Sequence, residues 1–354
     1  MKRLASISVQ VGLAGLLFGG CGGSGSSEPP PAPPPCEVST KTCYVNGQTG
    51  SNSNVGDTPQ AALKTIARAA QLALSDYAII VEAGTYQGEV TTTVIGKTPQ
   101  NLHFVAHGLV IVDVRGLSGA AGFTLANSSS TVIDGFTILG GSDGGIVIKS
   151  HSDGVEIRNC VVSGSNNDGI RVQDSSHALI FDNLVYANAG IGIRVGGTSS
   201  GSPNAMLINN TVYGNAARGV EIGTTRAASP NAYVVNNIIQ LNGTGTFPSL
   251  ENLKVETNPR SDLGYSGNHN LIFPASYLPS GVGGIRGAND VNVDAKFVAP
   301  GNDFHLAADS PAINHGDLLD ASLASLRQFL IRRSTVSGTI DNSGALDIGY
   351  HYPP

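Results

Sequence analysis

Short apolar segments alternate with polar residues along the middle of the chain, and they recur at a nearly constant interval. The segments GFTL, GIVI, GIRV, GIRV and GVEI begin at residues 122, 145, 169, 192 and 219, in steps of 23, 24, 23 and 27 residues. Alternation over four or five positions, broken by Gly, Asn, Asp and Ser, is typical of short β-strands. Strands that recur at such a period indicate a repeat architecture.

Each repeat continues into a second strand that ends at an asparagine and a third strand whose second residue is β-branched. The asparagines are Asn159, Asn183, Asn210 and Asn237, with Gly135 in the equivalent place one repeat earlier. The β-branched residues are Val161, Val185, Val212 and Ile239. Asparagine at a fixed bend suits a left-handed backbone position, and its amide can bond to the same amide one coil away. Because three short strands cannot bury a face alone, the repeats predict the stacked coils of a right-handed parallel β-helix.

Alternation on the first strand separates core positions from outward positions. The predicted core is Ile146, Ile170, Ile193 and Val220, with Ile148, Val172, Val195 and Ile222 beside it. The predicted outward columns are Val147, Arg171, Arg194 and Glu221, followed by Lys149, Gln173, Gly196 and Gly223. On the second strand, alternation places Ile180, Leu207 and Val234 outward as an apolar patch. We expect the amphipathic stretch 318–333 to cover this patch or a nearby side of the coil, with a partner protein as the alternative.

The two ends of the repeat region carry a family resemblance together with the repeats. The segment 43–90 begins CYVNGQTG and ends AGTYQGEV, while FHLAADSPAINHGD (304–317) and ALDIGYHY (345–352) lie near the C-terminus. These segments and the repeats resemble bacterial surface members of the pectate-lyase-like β-helix superfamily. The resemblance implies an all-β fold over nearly the whole exported chain. Its members range from lyases to proteins of unassigned role, so it is specific for fold and weak for chemistry.

An open end of a β-helix exposes strand edges and apolar core, so a cover is expected there. The segment 59–74 (PQAALKTIARAAQLAL) follows Thr58, and its Pro59 suits the start of a helix. Its apolar positions at helical spacing are Leu63, Ile66, Ala67, Ala70 and Leu74. This segment is therefore predicted to form an N-terminal capping helix.

The N-terminal segment has the order of an export signal: Lys2 and Arg3, an apolar stretch, and small residues before Cys21. LLFGGC resembles the lipobox of bacterial lipoproteins, in which the cysteine becomes the lipidated first residue, and a plain signal peptide is the alternative. The resemblance and the lack of Asp after Cys21 imply an outer-membrane lipoprotein, facing the periplasm or the cell surface. We predict a signal peptide at 1–20, a lipidated cysteine and Gly/Ser/Pro tether at 21–35, and one β-helix domain at 36–354.

Charge and cysteine usage narrow the function classes. The chain has 20 basic and 26 acidic residues, and loss of residues 1–20, which carry two basic and no acidic side chains, leaves 18 minus 26, or −8. A mildly acidic protein without a basic tail is a poor candidate for nucleic acid. Cys36 and Cys43 are predicted to form a short-loop disulfide, and Cys160 is read as a half-buried strand residue. A monomer that contacts the membrane only through its lipid is expected.

Two longer loops mark a candidate site. VGGTSSGSPNA and IGTTRAASPNA follow consecutive first strands, and because coils stack about 4.8 Å apart they would form a wall along the first-strand face. Glycines beside the arginines would leave room for a ligand. The outward and turn residues that this places together are Lys149, Arg171, Arg194, Glu221, Asp168, Arg218, His151, Asp174, His177 and Arg226.

In β-helix polysaccharide lyases the first-strand face is the cleft, so the resemblance implies an extended acidic polysaccharide as the ligand. Elimination needs a base for the proton α to a uronate carboxylate and a cation for the developing enolate. Arg171 and Arg194 suit the carboxylate, with Lys149 or His177 as base and Asp168, Arg218, Glu221 and Arg226 as further substrate contacts.

Several observations weigh against chemistry and keep other functions in view. No DPHD motif of alginate epimerases occurs, and neither the CxxC and HExxH patterns of zinc sites nor an acidic cluster for calcium is found, so calcium is allowed but not indicated. NNDGIRV resembles the NTDG element of polygalacturonases, but their paired DD and GHG elements are absent. A glycoside hydrolase is therefore a weaker prediction than a lyase, and Asp168 is interpreted as a turn residue. Arg194 beside Glu221 is also what a solvated cross-strand pair looks like. The alternatives are a lyase, a saccharide-binding protein, and a structural or adhesive surface protein.

Overall fold

The computed structural model describes residues 36–93, 98–197, 201–224, 229, 231–245, 251–256, 265–278, 286–338, 340 and 344–353. Predictions on Cys21, the tether and Arg226 lie outside these residues.

Short parallel strands make up nearly all of the regular structure. In chain order the first are β1 (Thr42–Val45), β2 (Ala78–Gln87), β3 (Val90–Thr91), β4 (His103–Asp113), β5 (Ala121–Ala126) and β6 (Val132–Leu139). The regular coils follow as β7 (Gly144–Lys149), β8 (Glu156–Arg158), β9 (Val161–Ser163), β10 (Ile170–Val172), β11 (Leu179–Phe181), β12 (Leu184–Tyr186), β13 (Ile193–Val195), β14 (Met206–Ile208), β15 (Thr211–Tyr213), β16 (Val220–Ile222), β17 (Tyr233–Val235), β18 (Ile238–Gln240), β19 (Leu253–Val255), β20 (Ser266–Asn268) and β21 (Leu271–Phe273). The last are β22 (Tyr277–Leu278), β23 (Phe297–Ala299) and β24 (Asp303–Leu306).

Strands β1 to β22 pair in parallel with their counterparts one coil away, which produces a parallel β-helix, whereas β23 and β24 pair with each other in antiparallel orientation. The first-strand face is the sheet β3-β5-β7-β10-β13-β16-β19-β22. The second-strand face is β8-β11-β14-β17-β20, and the third-strand face is β9-β12-β15-β18-β21. Strand β6 pairs with both β8 and β9, so the second and third faces belong to one bent sheet at that coil. The predicted fold class is confirmed.

The first-strand core has the predicted register. One buried column is formed by residues that each pair with the next across neighbouring strands: Ile146, Ile170, Ile193 and Val220. Ile148, Val172, Val195 and Ile222 form the buried column beside them. A period-2 pattern was sufficient here because every second residue of a strand lies on the same side of the sheet.

At the second bend the predicted alignment is wrong by one residue. Asn159 is paired in register with Asp182, Asn209 and Asn236, and all four have a left-handed backbone with φ between 51 and 62°. The next residue is buried in each coil, and these residues are Cys160, Asn183, Asn210 and Asn237. Consequently the β-branched third-strand column begins at Val162 and not at Val161. Cys160 is fully buried rather than half-buried, and burial raises the pKa of its thiol to about 12.

The buried asparagines form a hydrogen-bonded ladder along the helix axis. Asn183 Nδ2 donates to Asn210 Oδ1 at 3.0 Å, and Asn210 Nδ2 donates to Asn237 Oδ1 at 2.9 Å. Each Oδ1 also accepts the backbone N–H of the residue one coil earlier, as Asn210 Oδ1 does from Asn183. The ladder continues through Asn270 to Asp290. The ladder therefore provides hydrogen-bond partners for the buried amides and for the backbone N–H groups beside them.

Two further ladders occupy the other bends of the coil. At the third bend, Asn188, Asn215, Asn242 and Asn252 repeat the amide-to-amide contact, at 2.8 to 3.0 Å. At the first bend the ladder is made of serines, in which each backbone N–H donates to the Oγ one coil later: Ser128, Ser152, Ser175, Ser202 and Ser229. The serine of both SPNA repeats is therefore a buried structural residue.

The N-terminal end is closed much as predicted. The short 3₁₀ helix Pro59–Ala61 precedes α1 (Ile66–Leu72). Thr65 is the N-cap of α1, and its side chain accepts a hydrogen bond from the Arg68 N–H. The helix is shorter than the predicted 59–74, and its buried residues are Ile66, Ala69 and Ala70. Leu63 precedes it and is buried in a bridge to Val45, whereas Leu74 follows it and is exposed, so neither belongs to a helical apolar stripe. Cys36 and Cys43 form the predicted disulfide.

The outward apolar patch on the second-strand face is real, but its residues are shifted by one. Ile180, Leu207 and Val234 are buried in the central core, which contradicts their predicted outward position. Phe181 and Ile208 point outward instead and pack with Leu330. Leu330 belongs to α2 (Ala324–Leu330), which follows the 3₁₀ helix Ala321–Leu323, so the segment predicted to cover this side does so.

The left-handed column at the second bend binds the C-terminal segment. Arg333 Nη1 donates to Asn159 Oδ1 at 2.7 Å, and the His351 N–H donates to Asp182 Oδ1 at 2.6 Å. Asn209 Nδ2 donates to the carbonyl of Asp347 at 2.8 Å, and Asn236 continues the column by bonding to Asp317. The doublet NN thus has two functions: its first residue docks the C-terminal segment outside, and its second builds the ladder inside.

We expect Asn210→Ala to lower the free energy of unfolding by about 2–4 kcal/mol, since it leaves several buried polar groups without a partner. Asn302→Ala, at an exposed asparagine, should change it by less than about 0.5 kcal/mol. Urea unfolding followed by far-ultraviolet circular dichroism measures both. Equal effects of the two variants would contradict a stabilising ladder.

We expect a pH-dependent stability contribution from Asp182. Burial raises the pKa of its carboxyl to about 6. His351 and Arg333, which face it, oppose this shift, whereas the nearby Asp134 adds to it. The folded state then keeps a proton that the unfolded state loses above about pH 4, so this contribution to stability falls as pH rises from about 4 to 6.

The test compares unfolding free energies at pH 4 and pH 7. Between these values the wild type should lose about 1–3 kcal/mol relative to Asp182→Asn, which does not titrate. Relative to Asp309→Asn the wild type should change little over this range, because Lys296 lowers the pKa of Asp309 and this carboxyl therefore titrates at or below about pH 4 in the folded and the unfolded state. A wild type that gains stability relative to Asp182→Asn over this range would contradict the prediction.

Candidate functional site

Charged side chains form the outward column of the first-strand face. The register pairs Val147 with Arg171, Arg171 with Arg194, Arg194 with Glu221, and Glu221 with Lys254. Because core residues occupy the positions on either side of each, these side chains leave the coil on the same face. The register of the predicted column is confirmed and extends one coil further, to Lys254, but Val147 at its start is fully buried.

Two adjacent arginines share one buried carboxylate. Asp168 Oδ2 lies 3.2 Å from Arg194 Nη1 and 3.9 Å from Arg171 Nη1. Asp168 Oδ1 accepts the Ile191 N–H at 2.9 Å, which ties the carboxylate to the backbone of the next coil. Asp168 is therefore more than a turn residue, because its buried carboxylate lies within ion-pair distance of guanidinium groups on two neighbouring coils, although its Oδ2 accepts no hydrogen bond from the described residues.

A second carboxylate reaches Arg171 from the turn before β7. Asp143 Oδ1 accepts from Arg171 Nη2 at 2.7 Å. The Arg171 side chain is 11% exposed, the Asp143 side chain 38% and the Arg194 side chain 32%. Arg194 is thus the more accessible of the two cations, and Arg171 lies beneath Asp143.

The C-terminal half of the column is a separate ion-pair cluster. Arg218 contacts Glu221 through Nη1 and Glu251 through Nε, the latter at 2.9 Å. Lys254 Nζ contacts Glu256 Oε2 at 2.6 Å. The predicted pairing of Arg194 with Glu221 is replaced by Arg194 with Asp168 and Glu221 with Arg218. Four cations and five carboxylates, counting Asp143, line the whole strip, so its charge is nearly balanced.

The SPNA loops are only partly described, because residues 198–200, 225–228 and 230 lie outside the described chain. Asn204 and Asn231 have left-handed backbones, with φ 59° at each, and Asn231 Nδ2 donates to Asn204 Oδ1 at 3.1 Å. Ala205 and Ala232 are buried. The repeated frame S-P-N-A is accounted for by the serine ladder and this turn.

The glycines beside the arginines do not leave open space. A Cβ on Gly196 would lie 3.1 Å from the backbone of Gly223, and both glycines have positive φ. They allow neighbouring chains to approach closely, so the prediction that they leave room for a ligand is wrong.

The remaining predicted residues are dispersed. His177 is exposed in the first bend, where Nε2 lies 3.2 Å from Asn204 Nδ2. His151 lies in a different turn position, and its N–H donates to the carbonyl of Asp174. Lys149 is partly buried on the same face as Arg171, and within the described chain its ammonium group has no ion pair. Among the proposed bases, only Lys149 lies on the face that carries the arginines.

Three carboxylates and one lysine of the strip were missed: Asp143, Glu251, Glu256 and Lys254. Lys254 and Glu256 belong to NLKVE, a sixth copy of the first strand that begins 33 residues after GVEI and so falls outside the regular steps. Asp143 and Glu251 lie in turns before their strands, and alternation within a strand carries no information about turn side chains.

The arrangement can hold an anionic group against Arg194 and Arg171, because a guanidinium matches a carboxylate geometrically. A calcium ion does not fit the charges present, since each carboxylate of the strip already contacts an arginine or lysine. Among the described residues, no group of three or more His, Cys, Asp or Glu is arranged to hold a metal ion. The described chain also has no helix long and apolar enough to cross a membrane.

Comparisons with known proteins support the fold. The family model for the right-handed β-helix region matches residues 104–239. The solved structure of pectate lyase Pel9A is similar at 13% identity, with 88% of this chain and 96% of that chain covered and a TM-score of 0.51. A rhamnogalacturonan lyase follows at 12% identity, 80% and 98% coverage and a TM-score of 0.46. An alginate lyase from Paenibacillus sp. str. FPU-7 has 14% identity, 61% and 93% coverage and a TM-score of 0.39. No curated protein sequence matches significantly.

The family match and the likeness to pectate lyase Pel9A establish a right-handed, pectate-lyase-like β-helix. At such low identity they concern the fold alone.

Proposed function

We propose that the first-strand face binds an acidic polysaccharide. The observation that carries this proposal is the pair of guanidinium groups, on neighbouring coils, that share the single buried carboxylate of Asp168. Asp143 and Asp168 balance the charges of the two arginines, so the attraction for a ligand does not depend on a net positive charge. Arg194 is partly exposed, and its guanidinium can bind a ligand carboxylate.

The geometry suits an extended chain better than a compact ligand. Outward residues repeat along the axis about every 4.8 Å, the spacing between stacked coils. A polysaccharide lying along this axis meets one residue of the column per coil, and its carboxylate groups can contact Arg194 and Arg171 in turn. The pectate-lyase-like fold supports a polysaccharide as the ligand class.

β-Elimination is the sharper version of this proposal. Lys149 would act as the base that takes the proton α to the uronate carboxylate. The bond between the ring carbon and the glycosidic oxygen would break as the double bond forms, and the departing oxygen would take up a proton from water. Arg171 and Arg194 would stabilise the negative charge that develops on the carboxylate. His177 is the weaker base candidate because it lies at the first bend and contacts Asn204.

A structural or adhesive surface protein is the second candidate. It is favoured by the cluster of Arg218, Glu221 and Glu251, in which the cation is surrounded by two carboxylates of the same chain. Charges neutralised in this way stabilise neighbouring coils and need no ligand.

Binding to pectate, alginate, chondroitin and hyaluronate tests the proposal with purified full-length protein in detergent. Arg194→Ala should weaken binding to the preferred polymer by about tenfold or more, the effect of losing one charge-assisted hydrogen bond. The matched control is Arg332→Ala, at an exposed arginine beside α2. Equal binding by both variants, or no binding of wild type to any polymer of the panel, would overturn the proposal.

Ultraviolet absorbance of the unsaturated uronide, followed with and without calcium, tests elimination in the same samples. If the protein is a lyase, absorbance rises on one polymer, and Lys149→Ala removes the rise while leaving binding intact. Binding without any rise in absorbance would reject elimination and retain the binding function.

We also propose that the protein is an exported lipoprotein of the outer membrane, with a signal peptide at 1–20, lipidated Cys21, a tether to residue 35 and a β-helix domain from 36 to 354. The lipobox-like LLFGGC and the charged start of the chain support this organisation. The tether would hold the β-helix away from the lipid surface, where long polymers can reach it.

Replacement of Cys21 by serine should release the protein from the membrane fraction, because the thiol that carries the lipid is lost. Metabolic labelling with a radioactive fatty acid, followed by membrane fractionation, provides the measurement, with Cys160→Ser as the control. Labelling of the Cys21→Ser variant at the wild-type level would contradict the lipid anchor.

A further inference from the structure

We propose that Asp143 is a specificity-determining residue that competes with ligand carboxylates for Arg171. This inference rests on the proposed binding of an acidic polysaccharide to the first-strand face. It assigns opposite roles to the two aspartates of the site: Asp168 holds the arginines in place, and Asp143 occupies the position that a ligand carboxylate would take.

The contacts of Asp143 are those of a carboxylate ligand. Its Oδ1 accepts from Arg171 Nη2 at 2.7 Å, the distance expected for a charge-assisted bond between guanidinium and carboxylate. Its side chain is 38% exposed whereas that of Arg171 is 11% exposed, so Asp143 lies on the solvent side of the guanidinium. A ligand that approaches Arg171 from solvent therefore meets Asp143 first.

The two aspartates differ in what holds them. Asp168 is buried, and its Oδ1 is fixed by the Ile191 N–H of the next coil. The described contact of the Asp143 carboxylate is with Arg171, although its backbone N–H is anchored to the Ala120 carbonyl. The side chain of Asp143 can consequently rotate away without breaking backbone contacts, whereas that of Asp168 cannot.

Charge balance explains the effect on specificity. With Asp143 in place, the cluster of Asp143, Asp168, Arg171 and Arg194 is neutral, two charges of each sign. Without the Asp143 carboxylate it carries one positive charge. A neutral polysaccharide has no group that can replace this carboxylate, but a uronate does. Asp143 thus lowers the affinity for chains that carry a carboxylate at this position, because that carboxylate must displace it from Arg171, and it leaves the affinity for neutral chains unchanged.

Asp143→Asn should tighten binding of the preferred acidic polymer by about tenfold, because the amide no longer competes as an anion for Arg171. Binding should also become more sensitive to salt, since a net charge now attracts the polymer. Binding of neutral dextran should not change. The charge-matched control is Asp309→Asn, which removes one exposed carboxylate paired with Lys296 in another part of the chain and should leave the affinity at the wild-type level.

Full-length wild type, Asp143→Asn, Asp309→Asn and the double variant Asp143→Asn/Arg171→Gln are compared by titration with pectate and alginate at two salt concentrations. Loss of the gain in the double variant would support action through Arg171. Asp143→Ser serves as a second neutral variant if the asparagine form does not fold.

The outcomes separate this inference from the proposed function. If wild type binds and Asp143→Asn binds equally or more weakly, the inference is overturned and the proposed function stands. An equal gain in Asp309→Asn would also overturn it, since net charge alone would then be responsible. If neither wild type nor Asp143→Asn binds any acidic polymer, the proposed function itself fails. Binding by Asp143→Asn alone would support the competition of Asp143 for Arg171 and would overturn the proposed function of the wild type.

Discussion

The structure depends on satisfying the backbone at its bends. A coil that turns three times in about 25 residues buries N–H and C=O groups that no strand partner can reach, and unpaired groups of this kind are costly. Asparagine and serine ladders running from coil to coil supply the partners. Because each rung must lie above the next, the ladders fix the register of all three faces, and every outward column follows from that register.

Fixed register brings like charges together on the first-strand face. Arg171 and Arg194 are direct neighbours on adjacent strands, an arrangement that is unfavourable without a counter-charge. Asp168 provides it from the turn before β10, where the backbone of the next coil holds its other oxygen. The ladders and the buried Asp168 carboxylate have related roles, since each supplies a polar partner that the repeated strand cannot supply for itself.

Period and alternation were enough to predict the β-helix, the first-strand core and the outward column from Arg171 to Glu221. They failed at the second bend, where NN at 209–210 and 236–237 offers two asparagines for one bend, and Cys160 replaces the expected asparagine in another copy. The ion-pair partners of the arginines could not be predicted for a different reason. Asp143 and Glu251 reach the column from turns, whose side-chain directions depend on tertiary contacts and not on a two-residue period.

The same bend geometry argues for the first-strand face as the working surface. Outward residues of the second bend dock the C-terminal segment, so α2 packs on the second-strand face through Leu330 and Phe329. The hairpin β23–β24 packs on the third-strand face, where Phe304 contacts Tyr186 and Tyr213. Neither element packs on the first-strand column among the described residues. Apolar side chains thus cover the second-strand and third-strand faces, whereas paired charges occupy the first-strand face. If these charges had only a structural role, apolar residues could replace them at little cost in stability.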